Sequence, residues 1–168
     1  NSYPTGQCYS GYYCDGGATT PTQHEALPGY YAIAGSSDMT PCSPGYYNSK
    51  FLQSNCTICP EGFYCPNISM TTYINNVCPE GYYCPEGSAV AKRCPPGTFS
   101  NQTGNVAQTD CFDCTPGYYC DTSALPSVSG SCNAGYYCSS RAILQIQVVT
   151  TVTGGPCTIG HYCPEGTG

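Results

Sequence analysis

The sequence predicts an elongated tandem array of small disulfide-rich repeats, made of short β-hairpins and turns, with almost no helix and little hydrophobic core. Three observations carry that expectation. Cysteine supplies 16 of 168 residues, a density that marks disulfide scaffolds. Leu, Ile, Val and Phe together number 22 and Trp is absent, too little bulk for one packed core at this length. The third observation is a seven-residue motif, Cys-x-x-Gly-aromatic-aromatic-Cys, that returns along the chain.

Intact copies run Cys8–Cys14, Cys59–Cys65, Cys78–Cys84, Cys114–Cys120, Cys132–Cys138 and Cys157–Cys163, the last with His161 as its first aromatic position. Ala26–Ala32 lacks both cysteines, whereas Cys42–Asn48 and Cys94–Ser100 lack the second. Taken in chain order these are repeats 1 to 9, with starts 16 to 25 residues apart. A period this short gives units that cannot bury a core alone and must stack on neighbours.

The losses suggest a pairing. Repeat 2 loses both cysteines together, as expected of partners. Repeats 3 and 6 lose only the second, and Cys56 and Cys111 stand further on as replacements. Local bridges are therefore expected: Cys8–Cys14, Cys42–Cys56, Cys59–Cys65, Cys78–Cys84, Cys94–Cys111, Cys114–Cys120, Cys132–Cys138 and Cys157–Cys163. A staggered scheme, with Cys65–Cys78 and Cys120–Cys132, is the alternative that sequence leaves open. Closing a loop of about seven residues is worth roughly 2.4 kcal/mol, and about fifteen residues roughly 3.

Within a repeat, Pro28-Gly29, Pro44-Gly45 and Pro116-Gly117 have the signature of a type II turn. Cys59-Pro60-Glu61-Gly62 and Cys78-Pro79-Glu80-Gly81, with Pro second and Gly fourth, suggest type I. The aromatic pair that follows is expected to be extended, one ring covering a disulfide and its neighbour pointing away. The domain reading is tandem repeats over 1–138, an irregular insertion over 139–156, and the start of a further repeat over 157–168. Inside the insertion, residues 142–153 are β-branched, uncharged and free of Pro and Gly, so a strand is expected there. It forms either a local hairpin or an assembly strand offered to another chain through Ile143, Ile146, Val148 and Val152.

Charge narrows the function classes. The only basic residues are Lys50, Lys92, Arg93 and Arg141, and the formal net charge is −6. A nucleic-acid partner requires clustered Lys and Arg. No apolar run approaches the roughly 18 residues of a membrane span, so no membrane insertion of this segment is expected. So many thiols imply an oxidising, extracellular setting, either secreted or at the cell surface. The chain reads as a mature or partial piece of a longer secreted protein. A second copy joined after Gly168 would leave twelve residues between Cys163 and Cys8, the spacing of Cys65 and Cys78.

The stretch from Cys94-Pro-Pro-Gly-Thr-Phe-Ser through Asp110-Cys111-Phe-Asp-Cys114-Thr-Pro-Gly-Tyr-Tyr-Cys120 resembles the ephrin-receptor-like cysteine-rich repeat of the growth-factor-receptor superfamily. Cys42–Cys65 looks like a second copy, and the Cys-Pro-Glu-Gly-Tyr-Tyr-Cys repeats look like shortened relatives. The resemblance spans nearly everything except about residues 139–156. It implies a receptor ectodomain or a large surface or fibre protein of protists, including flagellar hair-like filaments. The dense Tyr-Tyr repeats resemble the fibre group more closely.

Asn55-Cys-Thr, Asn67-Ile-Ser and Asn101-Gln-Thr fit the N-glycosylation sequon. Thr19, Thr20 and Thr22 form the densest hydroxyl tract and are candidates for O-glycans. Cys56-x-x-Cys59 and Cys111-x-x-Cys114 have zinc-knuckle spacing, but the bridge pattern already uses them and only His24 and His161 could complete a site. Asp110, Asp113 and Asp121 could gather calcium, with solvated loop acids as the plainer reading. Glu61, Glu80, Glu86 and Glu165 recur because the Pro-Glu-Gly turn recurs. No nucleophile–base constellation or phosphate-cradling loop is present, so neither an enzyme nor a cofactor is expected.

The function expected is that of a structural subunit of a secreted, glycosylated filament or cell-surface appendage, whose partners are copies of itself and attached glycans. The alternative is a ligand-binding or stalk region of a receptor ectodomain. A secreted protease inhibitor fits less well, because no repeat carries a distinctive exposed loop.

Overall fold

A computed structural model describes residues 6–146 and 153–168. It divides into two compact units: Asn1–Val77 with Pro85–Val90, and Cys78–Cys84 with Ala91–Gly168. Both are assembled from one kind of hairpin. The two aromatic positions of a repeat form one strand, and the residues just before the next repeat form the other. Tyr12–Tyr13 thus pairs antiparallel with His24–Glu25, Tyr30–Tyr31 with Thr40–Pro41, and Tyr118–Tyr119 with Gly130–Ser131. Seven such two-stranded sheets are formed among the described residues. After repeat 4 the hairpin shrinks to a single bridge, Phe63 to Val77.

The turn that feeds each hairpin is the same in every repeat. Tyr30 N–H donates to Leu27 O at 3.0 Å, Phe63 to Pro60 O at 3.3 Å and Tyr82 to Pro79 O at 3.2 Å. The motif glycine is the third residue of the turn, with φ between 77° and 87° across the nine repeats. A type I turn needs a negative φ there, so the Pro-Glu-Gly repeats depart from the type I expectation. The hairpin register fixes the glycine, and Pro60 and Pro79 fall at the first turn position instead of the second.

The sixteen cysteines form eight disulfides, and none is free. Six close a seven-residue motif, while Cys42–Cys56 and Cys94–Cys111 span 14 and 17 positions. The staggered scheme is not the one adopted. The buried apolar set consists of cysteines with Ala26, Ala32 and Ala142. Tyr119 covers the cluster of Cys132, Cys138 and Ala142, so its ring lies over the disulfide of the following repeat. The aromatic pairs do not alternate cleanly: Tyr46 and Tyr118 are exposed, but most rings of the other pairs are half-buried.

The long strand expected over residues 142–153 does not form in its described part. Residues 142–146 are irregular, and Val148 and Val152 lie outside the described residues. The strand instead spans Gly154–Pro156, opposite Tyr136–Cys138. Position relative to the next cysteine outweighs β-propensity here, because the hairpin partner is always the segment entering the next repeat. The start of the expected insertion is also regular: Ser140 and Arg141 form the turn that follows other repeats as well.

One short 3₁₀ turn, Gln108–Asp110, interrupts the pattern before Cys111. The Asp110 carboxylate accepts from the amides of Val106 at 2.8 Å and Ala107 at 3.0 Å. Oδ2 of that acid closes its own turn.

Candidate functional site

The feature that recurs with the greatest regularity is the seam between consecutive repeats. Within each unit, the motif glycine of one repeat donates its N–H to the carbonyl at the seventh position of the next. Gly29 donates to Asn48 O at 2.7 Å, Gly45 to Cys65 O at 2.8 Å, Gly97 to Cys120 O at 2.9 Å and Gly117 to Cys138 O at 2.9 Å. The same glycine's carbonyl accepts from the first residue of that next repeat, as from Cys42 to Gly29 at 2.9 Å and Cys114 to Gly97 at 2.9 Å. Both main-chain groups of one residue are therefore spent on the neighbouring repeat.

A second turn, whose left-handed residue falls three or four residues past the motif, doubles the seam. Its left-handed residue donates to the first-position carbonyl of the preceding repeat: Leu52 to Ala26 O at 2.9 Å, Ser69 to Cys42 O at 2.9 Å, Ala124 to Cys94 O at 2.9 Å and Arg141 to Cys114 O at 3.0 Å. Among the described residues these four are the non-glycine residues with positive φ, between 58° and 66°. Gly35, Gly87, Gly104 and Gly166 occupy the same place elsewhere. The carbonyls of Leu52, Ser69, Gly87, Ala124, Arg141 and Gly166 lie against the motif glycine two repeats earlier. A Cβ on Gly45 would sit 2.6 Å from Gly87 O, and one on Gly97 would sit 2.8 Å from Arg141 O. Glycine is required there both by its φ and by this close approach. Sequence reasoning missed the second turn. Glycines at 17, 35, 87, 104 and 166 were its signal, hidden where Leu52, Ser69, Ala124 and Arg141 replace them.

Where a repeat lacks its second cysteine, the substitute is buried and hydrogen-bonded. The Asn48 amide donates to Tyr30 O at 2.6 Å, and its carbonyl accepts from Lys50 N at 3.2 Å. Ser100 Oγ accepts from Asn105 Nδ2 at 2.8 Å and from Gln102 N at 3.3 Å. Burial without partners would be costly, so these networks close the seventh position in the absence of sulfur.

The surface carries the remaining sites. Asn55, Asn67 and Asn101 are all exposed, as are Thr19, Thr20 and Thr22. Asn67 opens a shallow groove of about 400 Å³ lined also by Ile68, Met70, Thr72 and Asn75. Ile143 is exposed and Ile146 partly so. Cys56, Cys59, Cys111 and Cys114 each belong to a disulfide. The three acids are separately engaged: Asp110 in its turn, Asp113 with Arg141 at 3.2 Å, and Asp121 with Ser129 Oγ at 2.6 Å. No group of three His, Cys, Asp or Glu comes together among the described residues. His24 stacks on Tyr13 and lies 3.5 Å from Asp15, while His161 is exposed.

One aromatic cluster stands apart from the seam. Tyr73, in the linker after repeat 4, meets Tyr47 and Phe63 edge-on, each with ring centroids 4.9 Å apart. Burial, with Tyr73 beside it, raises the Tyr47 phenol above its ordinary value of 10.0. The fold therefore favours the neutral phenol. That contribution is complete below pH 10 and is lost as pH rises through the elevated value.

The chain is thus a disulfide-stabilised hairpin-repeat protein, and eight bridges with no free thiol point to an oxidising, extracellular setting. No helix among the described residues is long and apolar enough to cross a membrane. No protein-family model matches the chain, and no curated protein matches it either.

Proposed function

We propose that this chain is a structural segment of a secreted, glycosylated extracellular filament or cell-surface appendage, of the ephrin-receptor-like repeat type. The observation that carries the reading is the seam. Repeats join through main-chain hydrogen bonds centred on a glycine, so the join tolerates wide variation in side chains and extends by adding repeats. Such a chain serves by holding its form. Eight covalent bridges and a small-residue interior keep it folded under dilution, and exposed Asn55, Asn67 and Asn101 offer positions for hydrating glycans. It acts without catalysis: its acids and histidines are dispersed or engaged in local structure.

Electron microscopy of native material, paired with intact mass before and after N-glycosidase, tests the proposal. The expected result is fibres with a regular axial repeat and a mass loss at one or more of the three sequons. Discrete membrane-anchored particles carrying a bound ligand would instead establish the receptor reading, and unchanged mass would remove the glycan part.

A further inference from the structure

We infer that Tyr47 and Tyr73 form an oxidative cross-linking site, at which the two phenols couple to dityrosine inside one chain. The inference is independent of how the chain assembles. Its first support is where one-electron oxidation can settle. The chain has 17 tyrosines, no Trp and no free cysteine, so phenols are the groups from which a one-electron oxidant draws. Methionine, present twice, is oxidised by oxygen transfer to the sulfoxide and forms no link.

The second support is proximity. Among the described residues, Tyr47 and Tyr73 make the one tyrosine–tyrosine ring contact, with centroids 4.9 Å apart and planes at 65°. At that separation, edge carbons of one ring lie against the other. Coupling between groups held this way competes strongly with encounters between separate molecules. Both partners are held in place. Tyr47 lies in a strand opposite Thr57. Tyr73 is fixed by its carbonyl, which accepts from Asn76 N at 2.8 Å, and by Phe63 on its other flank. Both rings are partly exposed, so a small oxidant reaches them.

The reaction balances with hydrogen peroxide acting through a peroxidase. Each phenol loses its O–H hydrogen atom, and the two hydrogens reduce one peroxide to two waters. The phenoxyl radicals join through their ortho carbons, and each ortho hydrogen then moves to its phenol oxygen. The net change is one new C–C bond and the loss of two hydrogens. The bond would tie down the linker over 66–77, which belongs to the one hairpin reduced to a single bridge, Phe63 to Val77.

The test uses the whole disulfide-bonded chain at high dilution with hydrogen peroxide and a peroxidase. Dityrosine fluorescence is read on the monomer fraction, and linked peptides are mapped after reduction and proteolysis. A monomer lighter by two hydrogens, with Tyr47 joined to Tyr73, is expected. Tyr47→Phe and Tyr73→Phe, which keep the rings and the fold, should each lower the monomer signal at least tenfold, while Tyr46→Phe leaves it unchanged. An unmodified monomer, links only between molecules, or undiminished signal in Tyr73→Phe would overturn the inference.

Discussion

Repeat 2 places Ala26 and Ala32 where repeat 7 places the Cys114–Cys120 bridge, and all four residues are fully buried. The two repeats nevertheless share one backbone. Their turns close by Tyr30 to Leu27 O at 3.0 Å and Tyr118 to Thr115 O at 3.1 Å, with glycine φ values of 86° and 85°. Gly29 and Gly117 donate to the following repeat at 2.7 and 2.9 Å. Ala32 and Cys120 donate onward at 2.9 and 2.8 Å. Removing the sulfur thus leaves the geometry of the repeat intact. The main-chain seam sets the shape, and the disulfides stabilise it by restricting the unfolded chain.

Full reduction is the largest perturbation of that division of labour. Eight bridges worth roughly 2.4 to 3 kcal/mol each far exceed the 5–15 kcal/mol by which a typical domain is stable. Both units should melt, with loss of the tyrosine near-UV dichroism. Retention of that signal after complete reduction would mean that the seam suffices alone.

The next effect separates two positions of the same motif. Gly97→Ala brings a Cβ to 2.8 Å from Arg141 O at a φ of 83°. Gly135→Ala, at a φ of 87°, meets nothing within 4 Å. Left-handed strain of about 1–2 kcal/mol applies to both. Displacing a backbone carbonyl adds about 1–3 kcal/mol for Gly97 alone. Urea melts should rank Gly97→Ala well below Gly135→Ala, and equal losses would deny the second turn its role.

Putting sulfur into repeat 2 sharpens the comparison from the other side. Ala26→Cys with Ala32→Cys should form a ninth bridge without rearrangement, because the backbone already matches that of the bridged repeats. The gain expected is about 2.4 kcal/mol, read as a rise in the denaturation midpoint that reductant abolishes.

Much of this was legible in the sequence. The paired loss of cysteine at Ala26 and Ala32, and the displaced Cys56 and Cys111, point to the same partners that the structure bridges. The Gly-aromatic-aromatic string locates each hairpin. Other features were not legible, for physical reasons. The uncharged run that begins at Ala142 has strand propensity, but its described part over 142–146 is irregular, and the register belongs to Gly154–Pro156. Tyr73 lies in a linker outside the motif, and only folding brings it against Tyr47. The second turn is masked because a left-handed φ was met in four places by residues other than glycine.

Leu52 offers the finest test of that second turn. Its φ of 61° costs a branched side chain about 1–2 kcal/mol, yet its N–H must donate to Ala26 O to complete the seam around the repeat that has no bridge. Leu52 is 39% exposed, so truncation removes little buried surface. Leu52→Gly relieves the strain but enlarges the freedom of the unfolded chain, an opposing effect of about 0.5–1 kcal/mol. The net expectation is a gain of about 0.5 kcal/mol over Leu52→Ala, which keeps the strain and loses the same side chain. Urea midpoints of the two variants measure this difference directly. Coincident midpoints would mean that the strain at Leu52 only balances the opposing effect, and a Leu52→Gly midpoint below that of Leu52→Ala would mean that the second turn carries no strain there.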